Sequence, residues 1–123
     1  MDELLQQESL EFTPLEGEFD PALVAATIAG IGFPFQDEAY PTKFLISPDA
    51  PCRDFFQARR KENPQGNFPY LLIIEVTPSA ISLASPGPEY NAYAREFILW
   101  LTTHYRCAVV NESGTDLTAA LAA

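Results

Sequence analysis

The chain has 123 residues, of which 47% are hydrophobic and 20% charged, and its formal net charge is −10. So apolar a composition argues against a disordered protein, and the length suits one domain over residues 1–123 that buries its own core. The longest apolar run, at 70–74, is far shorter than the roughly 20 residues that span a bilayer, so a membrane protein is disfavoured. The acidic N-terminus lacks the positive charge of a secretory signal, so an exported precursor is disfavoured as well.

The first third of the chain predicts an arm, a strand and a helix. Residues 1–9 are expected to form a flexible or helical N-terminal arm. Residues 10–19 alternate apolar and acidic side chains, which predicts an edge strand interrupted at Pro14. A helix is predicted over 21–30, because Asp20 can cap its N-terminus and a proline fits its first position.

The middle of the chain predicts three strands and a short helix. Residues 32–41 contain two prolines, which indicates a loop or the frayed start of a strand, and a short strand follows over 42–47. A short helix is then predicted, with apolar positions at helical spacing from Cys52 to Phe56. The strands at 70–76 and 80–85 are expected to form a hairpin, and the first of them, apolar on both faces, is predicted to be central.

The last third predicts the longest helix, over 89–106, followed by a strand at 108–111 and a tail helix at 117–122. At 100° per residue, the large apolar side chains of the long helix fall on one arc that includes His104, and Leu99 is the exception on the polar side. The helix is therefore expected to lie flat on a sheet, with His104 in the core.

These elements predict an α+β protein with a two-layer α/β sandwich. The element order is β-α-β-(α)-β-β-α-β with a short C-terminal helix, and both main helices are expected on one face of the sheet. A ferredoxin-like arrangement, with the short helix inserted between its second and third strands, is the preferred interpretation. Such a fold hosts many activities and constrains function little.

Charge is distributed unevenly along the chain. Residues 1–42 hold nine acidic side chains and no Lys or Arg, whereas residues 43–123 hold eight acidic and all seven basic side chains. A surface of one negative sign repels phosphate backbones, so direct nucleic-acid binding is disfavoured, and it attracts basic proteins. Solubility alone would also explain the acidity.

Four of the seven bases lie at Arg53 and at 59–61, and the last three complement the C-terminal end of the short helix. A phosphate or acidic-partner site is the alternative interpretation of this cluster. The two cysteines, Cys52 and Cys107, lack the spacing of a zinc site and are expected to be free thiols in a reducing, cytoplasmic compartment.

Candidate catalytic groups are sparse. Cys52 lies in the first turn of a predicted helix beside Arg53, which would lower a thiol pKa, and the one possible imidazole base is His104. Both residues are expected in the core. Glu75 interrupts an apolar strand, either because the strand end is exposed or because it is a pocket carboxylate paired with Lys43 or an arginine. No catalytic residue, metal or cofactor is assigned.

The sequence therefore predicts a small acidic protein-binding module, of the kind found among inhibitor and immunity proteins, that docks an acidic surface on a basic partner protein. It is expected to be a monomer or homodimer. One alternative is a small regulatory ligand-binding domain, and a third possibility is a cysteine- or carboxylate-dependent enzyme. The predicted partner-binding residues are acidic and aromatic: Glu16, Glu18, Phe33, Phe35, Asp37, Glu38 and Tyr40.

Overall fold

The computed structural model describes residues 1–37, 40–62 and 71–122. These residues form four α helices and six strands, with two short 3₁₀ helices after β5 and at the C-terminus. In chain order they are α1 (Asp2–Leu5), β1 (Ser9–Pro14), α2 (Pro21–Ile28), β2 (Phe33–Gln36), β3 (Lys43–Ser47), α3 (Ala50–Glu62), β4 (Leu72–Val76), β5 (Ile81–Ala84), the 3₁₀ helix Pro88–Tyr90, α4 (Asn91–His104), β6 (Cys107–Asn111) and the 3₁₀ helix Thr118–Ala122.

Six strands form one antiparallel sheet in the order β2-β3-β4-β5-β1-β6. The α+β class is confirmed, and so are the hairpin of β4 with β5 and the central place of β4. The ferredoxin-like order is not confirmed, because two further strands, β2 and β3, extend the sheet beyond β4. The connection through α4 joins β5 to β6, and these two strands flank β1.

β1 is an inner strand, which corrects the prediction of an edge strand. Leu15 donates its N–H to the carbonyl of Arg106 at 2.8 Å, so the even-numbered residues of β1 direct their backbone groups to β5. The ladder with β5 ends at the pair of Phe12 with Ile81. Pro14 therefore lies beyond that ladder, where its missing N–H interrupts no hydrogen bond.

β2 lies where the sequence predicted a loop or the frayed start of a strand. Asp37 donates its N–H to the carbonyl of Lys43 at 2.9 Å, so the odd-numbered residues of β2 pair with β3 and Pro34 directs its nitrogen outward. A proline at this position removes a donor from the free edge of the sheet. The edge is thereby poorly suited to pairing with another strand.

The main core lies between the sheet and the two helices α2 and α4. Phe12 and Ile74 reach into it from the sheet, and Ile28 and Phe97 from the helices, all fully buried. The predicted N-terminal arm contributes as well, since Leu4 of α1 is buried in the same cluster. Among the described residues, no helix has the length and apolar character that crossing a bilayer requires.

α3 covers the opposite face of the sheet, which modifies the expected two-layer sandwich. Leu45 alternates with Ile46 along β3, and successive residues of a strand point to opposite faces. Ile46 belongs to the main core, whereas Leu45 packs in a second cluster with Phe35, Leu71 and partly buried α3 side chains. α3 thus forms a third layer at the β2–β3 end of the sheet.

Candidate protein-binding surface

The nine carboxylates of residues 1–42 do not form one surface, contrary to expectation. Asp2 pairs with Arg95 of α4 at 3.2 Å, on the face of the sheet that α2 and α4 cover. Glu11 alternates with the core residue Phe12 and so lies on the other face. Among the described acids, Glu16, Glu18 and Asp20 lie together and exposed in the loop between β1 and α2.

Two of the predicted partner-binding residues are interior. Asp37 is 0% exposed and its Oδ2 lies 2.9 Å from Nη2 of Arg60, which is 6% exposed. Phe35 is buried under α3. A partner cannot reach these side chains, so they are corrected from surface residues to structural ones. Glu38 lies outside the described residues.

The two remaining aromatic residues are exposed but lie at opposite ends of β2. Tyr40 follows this strand, and the Lys43 ammonium lies 4.8 Å from its ring centroid. Phe33 begins the strand, where the Arg53 guanidinium lies 5.9 Å from its ring. Of these two, only Tyr40 is at the same end of the sheet as Glu16, because β1 and β2 run in the same direction.

An apolar groove lies next to Glu16, between the end of β1 and the C-terminal 3₁₀ helix. Its cavity volume is about 290 Å³, and its apolar walls include Leu15, Tyr105 and Leu121. Leu15 is 55% exposed. Glu16 stands at the rim, 3.5 Å from Arg106 Nη1, and both of these side chains are largely in water.

The loop that carries the acidic rim is held at several points. The Tyr105 hydroxyl accepts a hydrogen bond from the Asp20 N–H at 3.1 Å, and the Tyr105 ring packs edge-on against Phe19, with 5.0 Å between centroids. Phe19 also donates its N–H to the Pro78 carbonyl at 2.9 Å. Glu16 and Glu18 therefore project from a fixed loop.

The opposite wall of the groove is attached to β6. Leu117 donates its N–H to the Val109 carbonyl at 2.8 Å, and Val109 donates its own to the Thr118 hydroxyl at 3.1 Å. Hydrogen bonds from the Thr118 hydroxyl and backbone N–H hold the pKa of the Asp116 carboxyl below its ordinary value. The groove is thus bounded by fixed backbone on both sides.

One of the three carboxylates in the loop caps a helix, and the loop as a whole remains negatively charged. Asp20 accepts hydrogen bonds from the N–H groups of Ala22 and Leu23 and so caps α2. Burial raises the pKa of the Cys107 thiol in the groove wall to about 11, so this group stays neutral at pH 7. The groove has apolar walls and is also lined by Arg106, and the carboxylates of the adjoining loop lie beside it.

The candidate catalytic groups are far apart. Cys52 is in the first turn of α3, which follows β3, and His104 ends α4, which precedes β6. The strand directions place these two points at opposite ends of the sheet. His104 is also exposed rather than in the core, with its ring stacked on Trp100 at 4.6 Å.

Metal and disulfide chemistry find little support in the side-chain positions. Both cysteines are free thiols, as expected from the sequence. Within ranges 1–37, 40–62 and 71–122, His, Cys, Asp and Glu side chains nowhere gather in groups of three or more that could hold a metal ion. Glu75 lies opposite Lys43 in the ladder between β3 and β4, on the face of the sheet away from α2 and α4.

Sequence reasoning missed the apolar walls of the groove. The signal was available in part, because Leu15 follows the proline that ends β1 and is out of phase with the alternation of Leu10 and Phe12. Leu15 and Leu121 line the same groove because the C-terminal segment packs beside β6, and this tertiary arrangement is not encoded in local sequence patterns. The chain matches no family model, no curated protein and no solved structure at a significant level.

Proposed function

We propose that this chain is a protein-binding module that docks its acidic-rimmed groove on a basic partner protein, in the manner of inhibitor and immunity proteins. The observation that carries the proposal is the groove beside Glu16, because it joins an exposed apolar anchor, Leu15, to the exposed carboxylates of the adjoining loop. Interfaces of this type have an apolar centre and a polar rim. The apolar centre supplies most of the affinity, and the charged rim sets the association rate and the choice of partner.

The charge of the whole chain supports the same kind of partner. A net charge of −10 disfavours approach to nucleic acid and favours encounter with a positively charged protein. The partner segment that fits the groove carries an apolar side chain for the cavity and Lys or Arg beside it for Glu16 and Glu18. The two free thiols support a reducing compartment such as the cytoplasm.

The test is capture of partners from cells that naturally make the protein, with two matched variants. Glu16→Gln with Glu18→Gln removes two charges from the rim. Glu62→Gln with Glu96→Gln removes two exposed charges from α3 and α4 and leaves the groove intact. The proposal expects a basic partner that the wild type and the control retain, and that the rim variant binds about tenfold more weakly.

A third variant tests the apolar part of the groove. Leu15→Ser keeps every charge and removes an exposed side chain, so folding is expected to be unaffected. Binding of the captured partner should fall as much as in the rim variant, or more, because apolar anchors carry most interface energy. Equal binding by all four proteins, or a captured partner with an acidic surface, would refute the proposal.

A further inference from the structure

A second cavity lies between β2 and the C-terminal half of α3, at the edge of the sheet farthest from the groove. Its lining residues are Phe35, Gln36, Gln57, Arg60 and Lys61, and its volume is about 110 Å³. Four of these five side chains carry N–H donors, and none is a carboxylate. In a chain with 17 acidic and 7 basic side chains, such a lining is unusual.

Arg60 is the fixed element of this cavity. Its side chain is more than nine-tenths buried, and the contact with Asp37 orients the guanidinium. A group that is already held in place loses little further freedom when it binds a ligand. The Asp37 carboxylate balances the charge of Arg60, so the ammonium of Lys61 gives the cavity a net positive charge.

The other walls favour the same chemistry. Gln36 adjoins the cavity from β2, and its side-chain amide donates a hydrogen bond to the Pro41 carbonyl. Gln57 adds a second amide, one turn before Lys61 on α3. The Phe35 ring supplies an apolar wall, next to which an ionic hydrogen bond is stronger than in open water.

A volume of about 110 Å³ has room for one small oxyanion. We propose that this cavity binds a small oxyanion, namely a carboxylate or phosphate group, through Lys61, Gln57 and the oriented guanidinium of Arg60. This site is independent of the groove, so either proposal can fail without the other.

The test is an NMR titration of the full chain with inorganic phosphate in one arm and acetate in the other. Sodium chloride at matched ionic strength is the reference, because it reports screening alone. We expect saturable shifts of the Gln36 and Gln57 side-chain amide signals with at least one of the two anions. Phosphate alone, acetate alone or both would each support the site and assign its preference.

Variants separate the cavity from the general positive charge of α3. Lys61→Gln should weaken binding at least fivefold, and Gln57→Glu should abolish it by placing a carboxylate in the lining. Arg59→Gln is the matched control, since Arg59 is the exposed neighbour that does not line the cavity. Shifts no larger than with chloride, equal weakening by Arg59→Gln and Lys61→Gln, or binding that survives Gln57→Glu would each overturn the proposal.

Discussion

The ion pair between Asp37 and Arg60 makes a sharp prediction about stability. Both side chains are more than nine-tenths buried, and Nη2 of Arg60 lies 2.9 Å from the carboxylate. Arg60→Met removes one charge and leaves the other buried without its ionic partner. Breaking a buried pair in this way costs about 3–5 kcal/mol, against a total of about 5–15 kcal/mol for a domain of this kind. The midpoint of thermal unfolding should fall on the order of 10–20 °C.

The neighbouring residue supplies the control. Arg59 is exposed on the same turn of α3 and lies over the Phe55 ring at 5.8 Å, so Arg59→Met removes the same charge from water. Its cost should stay below about 1 kcal/mol. Urea unfolding followed by circular dichroism measures both variants under the same conditions.

The double variant Asp37→Leu/Arg60→Met tests the cause. With both charges removed, no carboxylate is left uncompensated, so the double variant should be more stable than Arg60→Met alone. If Arg59→Met and Arg60→Met lose equal free energy, or if the double variant is no more stable than Arg60→Met, the pair does not hold α3 to the β2–β3 end of the sheet.

Three further predictions concern the fold. Asp20→Ala should lower the free energy of unfolding by about 1 kcal/mol in urea titration, because two N–H groups of α2 lose their acceptor; an unchanged midpoint would contradict this. Gly32→Ala should cost about 1–3 kcal/mol in the same assay, which is more than Gly17→Ala should cost. Both glycines have positive φ, but only at Gly32 would the new Cβ lie 2.8 Å from Ile46 Cγ2. Equal losses in the two variants would refute the clash. Burial raises the pKa of the Cys107 thiol from 9.0 to about 11, so the stability it gives is complete below pH 9 and is lost as pH rises through 11. Cys107→Val should therefore show a shallower decline of unfolding free energy than the wild type between these pH values; parallel declines would exclude the effect.

Periodicity predicted the elements whose burial follows from local pattern. The apolar arc of α4 and the alternation in β5 identified their faces, because each of these two elements packs one side against a continuous core. The capping signals at Asp20 placed the start of α2 at the residue where the structure has it. Leu99 is exposed, as its position on the polar side of α4 predicted.

Local pattern failed where an element depends on a distant partner. β2 contains Pro34, which reads as a loop signal, and it becomes a strand because β3 pairs with one of its edges only. β1 resembles an edge strand in sequence, yet β6 returns to cover its free side. The burial of Asp37 and the exposure of His104 were mispredicted for the same reason, because tertiary contacts decide whether a single polar side chain is buried.

The charge distribution along the sequence led to a wrong prediction of one continuous acidic surface. Nine acidic residues precede the first base, but a chain that crosses the sheet and returns spreads consecutive residues over both faces and both ends. What remains together is the loop with Glu16 and Glu18. The proposed acidic surface is consequently much smaller than the first third of the chain and is centred on the groove.

Calorimetric titration of the captured partner with the wild type and with Glu16→Gln/Glu18→Gln at low ionic strength addresses the binding role of the groove most directly. We expect about tenfold weaker binding by the rim variant and a reduced dependence of its affinity on salt, while Glu62→Gln/Glu96→Gln binds as the wild type does. Equal affinities of the rim variant and the wild type, or equal losses in both variants, would show that the partner binds elsewhere.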